Sequence, residues 1–218
     1  MTPLICVRLA CLSANRRELM NDIFIWHENH VPAVDRAKLK SQNPLVVWFT
    51  GLSGAGKSTL ANALEVQLHR QGYHTFLLDG DNIRHGLNSD LDLSVHGRKE
   101  NIRRIGEVCK LFVDAGIIAI TAFISPYRED RDRVRQLIGT ENFVEVFVDA
   151  SLQSCQQRDP KSLYAMASSG EISGMTGIDD PYEPPNNPEL AVKTDGLAVE
   201  ECLEQITQYV VQRVYAAN

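Results

Sequence analysis

The stretch Leu45-Val46-Val47-Trp48-Phe49-Thr50-Gly51-Leu52-Ser53-Gly54-Ala55-Gly56-Lys57-Ser58-Thr59 decides how the rest of the chain is read. Its first residues form an apolar run bounded by Pro44 and Gly51, the pattern of a short strand buried on both faces. Residues 51–58 fit G-x-x-x-x-G-K-[ST], and Lys57 opens a helical pattern that runs to Arg70. In a strand-loop-helix context this is a phosphate-binding loop. Its glycines let successive backbone N–H groups curl around phosphate oxygens, and the helix after it aims its positive end at the same anion. Residues 51–59 are therefore the expected phosphate-binding loop for a nucleotide. Within it, Lys57 reaches the β- and γ-phosphates and the Ser58 hydroxyl ligates Mg²⁺.

Beyond this loop the pattern repeats. Apolar runs at 73–78, 117–123 and 143–148 alternate with helical periods at 57–70, 98–115, 128–138 and 198–214. Strands alternating with helices imply βαβ units, hence an α/β fold with an open, mostly parallel sheet and helices on both faces. Residues 1–44 show no sustained period and read as an N-terminal arm. Met20 is a candidate true start, which would make 1–19 a non-native extension. The segment 159–188 is rich in proline, glycine and serine, with a short helical stretch near 162–167, and reads as a lid over a substrate.

Composition removes several classes of function. The 218 residues carry 22 Lys plus Arg against 28 Asp plus Glu, a net charge of −6, where a general nucleic-acid binder needs a basic face. The longest apolar stretches fall short of the roughly 20 residues that span a bilayer, so no membrane partner is expected. Five scattered cysteines contain no C-x-x-C pair, which suits reduced thiols and a cytoplasmic protein. The six histidines are dispersed and none is assigned to metal. The arginines at 128, 131, 133 and 135 read as a solvated helix face with their acidic neighbours.

Ligands bind beyond the carboxyl ends of parallel strands. After the second strand comes Leu78-Asp79-Gly80-Asp81-Asn82-Ile83-Arg84-His85-Gly86-Leu87-Asn88. Asp81 is the candidate to orient a substrate hydroxyl and accept its proton. Asp79 is the candidate to support Mg²⁺ through water, with capping of the turn as the competing role. Arg98 and Asn101 lie three apart on one helix face, where they can grip a sulfate or phosphate. The third strand runs into Ile124-Ser125-Pro126. No base neighbours Ser125 in sequence, so a binding role is favoured there over a nucleophilic one. A GTPase is a poor fit: D-x-x-G is absent, and Val192-Lys193-Thr194-Asp195 has Val where a base reader needs Asn.

Taken together, Gly51–Ala61, Leu78–Asn88, Arg98–Arg104, Ala122–Arg128, Arg158–Lys161 and Thr176–Glu183 resemble the adenylylsulfate (APS) kinase family of P-loop kinases, in order and spacing, over roughly residues 24–213. The resemblance makes residues 51–59 the ATP-binding loop and implies a P-loop kinase domain over 45–218 that uses Mg-ATP to phosphorylate the 3′-hydroxyl of adenosine 5′-phosphosulfate, for sulfate assimilation. It further implies that Asp81 and Lys57 act on the reacting groups, that Arg84, Leu93, Arg98, Asn101, Ile124, Ser125 and Met175 contact adenylylsulfate, and that Lys161 is a mobile lid lysine. In the family Ser125 falls on a residue described as a phosphoserine intermediate, and members tend to form homodimers. Leu93 and Met175 stand where the family usually has two phenylalanines that sandwich the substrate adenine. That departure keeps two alternatives: a P-loop kinase for another small hydroxyl substrate, and a non-catalytic nucleotide sensor derived from such a kinase.

Overall fold

A computed structural model of the protein describes residues 24, 25 and 27–215. The candidate start at Met20, the extension 1–19, Cys6 and Cys11 lie outside the described residues. The chain divides into two units, 1–32 and 33–218. In the first, Phe24, Ile25, His27, His30 and Val31 are exposed. The second holds the sheet.

Five strands form that sheet: β1 (Leu45–Thr50), β2 (Thr75–Asp79), β3 (Ile118–Ala122), β4 (Phe143–Asp149) and β5 (Leu190–Lys193), in the order β2-β3-β1-β4-β5. Every pairing is parallel, with Val46 opposite both Ala119 and Phe143. β1 is central, and its alternating side chains feed two cores. Leu45, Val47 and Phe49 join one cluster with Leu60, Leu64, Leu68 and Ile206, while Val46 and Trp48 join the other with Ile102, Ile105 and Val134. A strand that must be apolar on both faces shows no alternation in sequence, which is why 45–50 read as a continuous run.

The helices around the sheet are α1 (Ala33–Leu39), α2 (Lys57–Arg70), α3 (Gly80–Arg84), α4 (Val95–Asp114), α5 (Arg128–Ile138), α6 (Leu152–Arg158), α7 (Leu163–Ser168) and α8 (Val199–Val214). Leu60, Leu64 and Leu68 of α2 and Ile206 of α8 cover one face; Ile102 and Ile105 of α4 and Val134 of α5 cover the other.

Three expectations need correction. The arm 1–44 contains a helix at Ala33–Leu39, seven residues long and with no buried member, too short for a hydrophobic period to register. A fifth strand, β5, lies where no apolar run marks one, because it has four residues and buries one of them, Val192. The face of α5 is not simply solvated: Arg131 is only 1% exposed and Arg135 is partly buried, both paired with Glu145 of β4.

Candidate active site

β1 ends at the centre of the sheet, and the loop after it turns on glycines whose conformations other residues rarely adopt. Gly51 has φ +150° and Gly54 φ +77°; a Cβ on Gly51 would lie 2.6 Å from the Val148 carbonyl oxygen, and one on Gly54 2.9 Å from that of Cys155. The loop is thus packed against β4 and α6 as closely as backbone allows. Lys57 is buried, and its Nζ donates to the carbonyls of Gly51 (2.9 Å) and Leu52 (2.7 Å). Burial pushes its pKa down to about 8. Gly51 and Leu52 therefore act on the lysine, while residues 53–59 line a cleft of about 790 Å³.

The other sequence-predicted residues converge on that cleft. Arg84, Leu93, Arg98, Asn101, Ile124 and Met175 all line it, as do Asp79, Asp81, Ser125 and Lys161. Asp79 makes a contact consistent with each of the two roles considered for it. One carboxylate oxygen caps α3 by accepting from the Asp81 N–H at 3.0 Å, and the other accepts from the Ser58 hydroxyl at 2.6 Å. Lys161 donates to the Asp81 carboxylate, so the lid lysine sits against the candidate base. α7 reinforces this closure: Tyr164 is buried and its hydroxyl donates to the Ser53 carbonyl at 2.9 Å.

Arg98, which also lines the cleft, is tied within the chain as well. Its guanidinium donates to Thr176 Oγ1 at 2.8 Å and to the Gly174 carbonyl, and pairs with Asp180 at 3.0 Å. It ties α4 to the far part of the lid. Arg84, in contrast, makes one long contact to the Leu91 carbonyl (3.3 Å), and burial next to Arg98 pushes its pKa down. A second cation at this end of the cleft, with no carboxylate bonded to it among the described residues, suits the site to an anion. The two substituted positions diverge. Leu93 is 59% exposed at the mouth, whereas Met175 is 7% exposed and belongs to the core.

Ser125 is buried and adopts φ +42°. Its hydroxyl accepts from Trp48 Nε1 (3.1 Å) and donates to Thr50 Oγ1 (3.0 Å). Thr50 in turn donates to the Ile124 carbonyl at 2.8 Å, so the Tyr182 hydroxyl, 3.0 Å away, is the donor in their contact. Every proton in this relay is assigned and none of its groups is a base.

Sequence reasoning missed the supports around the site. Tyr182 and Arg131 hold the substrate loop from behind, through Thr50 and the Ser125 carbonyl. Arg158 donates to the Thr194 carbonyl (2.7 Å), and Thr194 Oγ1 donates to the Ala55 carbonyl (2.9 Å), fastening the end of β5 to the phosphate loop. The Lys193-Thr194-Asp195 sequence thus serves as a prop, with Asp195 accepting from the Ser151 N–H at 2.8 Å. Only residue spacing was available to find these contacts, and spacing does not show which strand ends meet.

Comparison with known proteins agrees with the geometry. Residues 43–193 match the family model described as adenylylsulphate kinase. The chain is 56% identical over 189 residues to an adenylyl-sulfate kinase of Marinobacter nauticus, covering 87% of this chain and 95% of that protein. It is 58% identical over 185 residues to a probable adenylyl-sulfate kinase of Halalkalibacterium halodurans, covering 85% and 92%. Among solved structures, the Mycobacterium tuberculosis APS kinase CysC in complex with AMPPNP and APS superposes with a TM-score of 0.74 at 44% identity, covering 77% of this chain and 98% of that one. Sequence, fold and the assembled cleft agree: this chain belongs to the adenylylsulphate kinase family.

Proposed function

We propose that the protein transfers the γ-phosphoryl group of ATP to the 3′-hydroxyl of adenosine 5′-phosphosulfate, giving 3′-phosphoadenosine 5′-phosphosulfate. The observation that carries this reading is the meeting of Lys57, the Ser58–Asp79 hydrogen bond and the Lys161–Asp81 ion pair in one cleft. An anion-binding loop, a hydroxyl-carboxylate pair and a carboxylate held by a lid lysine are the parts that phosphoryl transfer to an alcohol needs.

Asp81 holds the substrate hydroxyl in line with the γ-phosphorus and accepts its proton as the P–O bond forms. Lys57 and Lys161 stabilise the charge that spreads over the transferring group, and the N-terminus of α2 faces the phosphates. The Ser58 hydroxyl and the Asp79 carboxylate are hard oxygen donors 2.6 Å apart, a set that fits Mg²⁺ held partly by water and substrate phosphates. When bound, Mg²⁺ neutralises charge on the β- and γ-phosphates. Arg84 and Asn101 take the anionic part of the substrate. Ser125 supports the loop it sits in, because its hydroxyl is already committed on both sides and the transfer needs no covalent relay.

On the same reading the protein works in the cytoplasm as a homodimer. Among the described residues no helix is long and apolar enough to cross a membrane, and Cys109, Cys155 and Cys202 are free and buried.

The test is turnover of Mg-ATP with adenosine 5′-phosphosulfate by wild type, Asp81→Ala and Lys161→Ala. The expected result is 3′-phosphorylation that falls by about 10²-fold or more in each variant. Folded, ATP-binding wild type that leaves this substrate untouched would overturn the reading and favour another hydroxyl acceptor or a sensor.

A further inference from the structure

The turn between α3 and α4 contains an asparagine that is poorly explained as core filling. Asn88 has no solvent exposure. Its backbone N–H donates to the Ile83 carbonyl at 3.0 Å and its own carbonyl accepts from Leu91 at 3.1 Å, so the turn is closed on both sides and the side chain is directed inward. Arg104 fastens the same turn to α4 through the Leu87 carbonyl (3.3 Å) and Asp90 (2.7 Å). Inside, Asn88 Nδ2 donates to Asn101 Oδ1 at 2.9 Å, while Asn88 Oδ1 is buried with no hydrogen-bond partner among the described residues. An amide that leaves its own carbonyl unmet in the interior is unfavourable as packing. A leucine of similar size would avoid that penalty. What only the amide supplies is the N–H directed at Asn101.

That N–H fixes which end of Asn101 the cleft receives. Asn101 is 5% exposed and lines the cleft, and a primary amide presents an acceptor at one end and two donors at the other. With Oδ1 occupied by Asn88, the donor end is the one left for a ligand. We infer that Asn88 is a positioning residue that sets Asn101 as a hydrogen-bond donor in the cleft, so that the group bound there is an acceptor: an anionic oxygen or a ring nitrogen of the nucleotide substrate. This rests on the proposed role of Asn101 as a substrate contact. Asn88 itself does not line the cleft.

A double-mutant cycle and an NMR measurement test the inference separately from that role. Asn88→Ala, Asn101→Ala and the double variant are compared for KM toward adenosine 5′-phosphosulfate and toward ATP, after thermal melts establish that each is folded. Asn88→Ala should raise the KM for the sulfate nucleotide on the order of tenfold, about 1.4 kcal/mol, leave the KM for ATP within about twofold, and add nothing further in the Asn101→Ala background. Asn88→Asp, which accepts but cannot donate, should turn the Asn101 amide around and raise the same KM further. Equal, additive effects on both substrates would mean a merely structural role and overturn the inference. If wild type does not use the sulfate nucleotide, or Asn101→Ala leaves its KM unchanged, the functional reading fails while the side-chain amide spectrum of the free protein still decides orientation. Slow solvent exchange of the Asn88 NH₂ with fast exchange of the Asn101 NH₂ supports the inference. The reverse order sinks it.

Discussion

Arg131 and Glu145 form an ion pair at 2.7 Å with almost no solvent contact, and the same guanidinium donates to the Ser125 carbonyl at 2.6 Å and the Glu183 carbonyl at 2.7 Å. One side chain from α5 thereby fastens β4, the substrate loop after β3 and the downstream end of the lid. Removing it leaves Glu145 buried beside Arg135 alone. Arg131→Met is expected to cost about 3–5 kcal/mol of stability by urea denaturation, because the buried carboxylate loses the closer of its two partners and the two carbonyls lose their donor. Changing Glu145 to Leu in the same protein should restore much of that loss without restoring activity, since the bonds to the Ser125 and Glu183 carbonyls stay broken. Recovery of activity together with stability would show that the pair has no part in shaping the loop.

The sequence showed the frame and the reacting groups but not this clamp, for a physical reason. β1, α2 and α5 were legible because periodicity and the G-x-x-x-x-G-K-S spacing are local properties; α2 and α5 occur at Lys57–Arg70 and Arg128–Ile138 as read. Arg131 lies among Glu129, Asp130, Asp132 and Arg133, so its local composition is that of a solvated face. Its burial depends on Glu145, fourteen residues on and on a different element. Asn88, Thr50 and Tyr182 were hidden in the same way, each acquiring its role through a partner on another element. Arg98 was legible as a cleft residue, but nothing local reveals that Asp180 and Thr176 come to meet it.

Burial of Lys57 gives the reaction a pH dependence of definite sign. Its pKa in the folded protein is about 8, below its ordinary value, because the cleft disfavours the charged amine. Between about pH 8 and the ordinary lysine range the unfolded chain binds the extra proton, so this group adds stability as pH rises through that window and opposes folding below it. Phosphate binding needs the protonated form. ATP binding at pH 8.5 should therefore take up protons, measured by calorimetry in buffers of different ionisation enthalpy, and kcat/KM for ATP should decline above about pH 8. Lys57→Arg keeps its charge throughout and should abolish the proton uptake. Uptake that persists in Lys57→Arg would assign it to another group.

Gly97 and Asp92 share one space. A Cβ on Gly97 would lie 2.4 Å from both the backbone carbonyl and the Oδ1 of Asp92. Asp92 Oδ1 accepts from the Ser94 N–H (3.1 Å) and hydroxyl (2.6 Å), and Ser94 caps α4 by accepting from the Gly97 N–H at 3.1 Å. The missing Cβ is what lets the turn close over the helix start. Gly97→Ala should cost about 1–3 kcal/mol of stability through overpacking. Because Leu93 lies between Asp92 and Ser94, the substitution should also raise the KM for the nucleotide acceptor more than that for ATP. Equal shifts in both would separate the cap from the substrate site.

The two positions where the family usually has phenylalanine should respond oppositely when the aromatic ring is supplied. Leu93 is 59% exposed at the cleft mouth and has room for a ring, so Leu93→Phe should improve acceptor binding by about 0.5–1.5 kcal/mol through stacking on the adenine. Met175, itself in the lid segment, is 7% exposed and packed into the core, and its thioether already adapts to the space it fills. A rigid ring there must displace neighbours, so Met175→Phe should lower the melting temperature while bringing less gain in KM than Leu93→Phe. Steady-state KM for adenosine 5′-phosphosulfate and thermal melts on both single variants check the pair. A larger KM gain from Met175→Phe with unchanged stability would mean that the core around residue 175 retains room for an aromatic side chain, and that the mouth at Leu93 is not where the base is held.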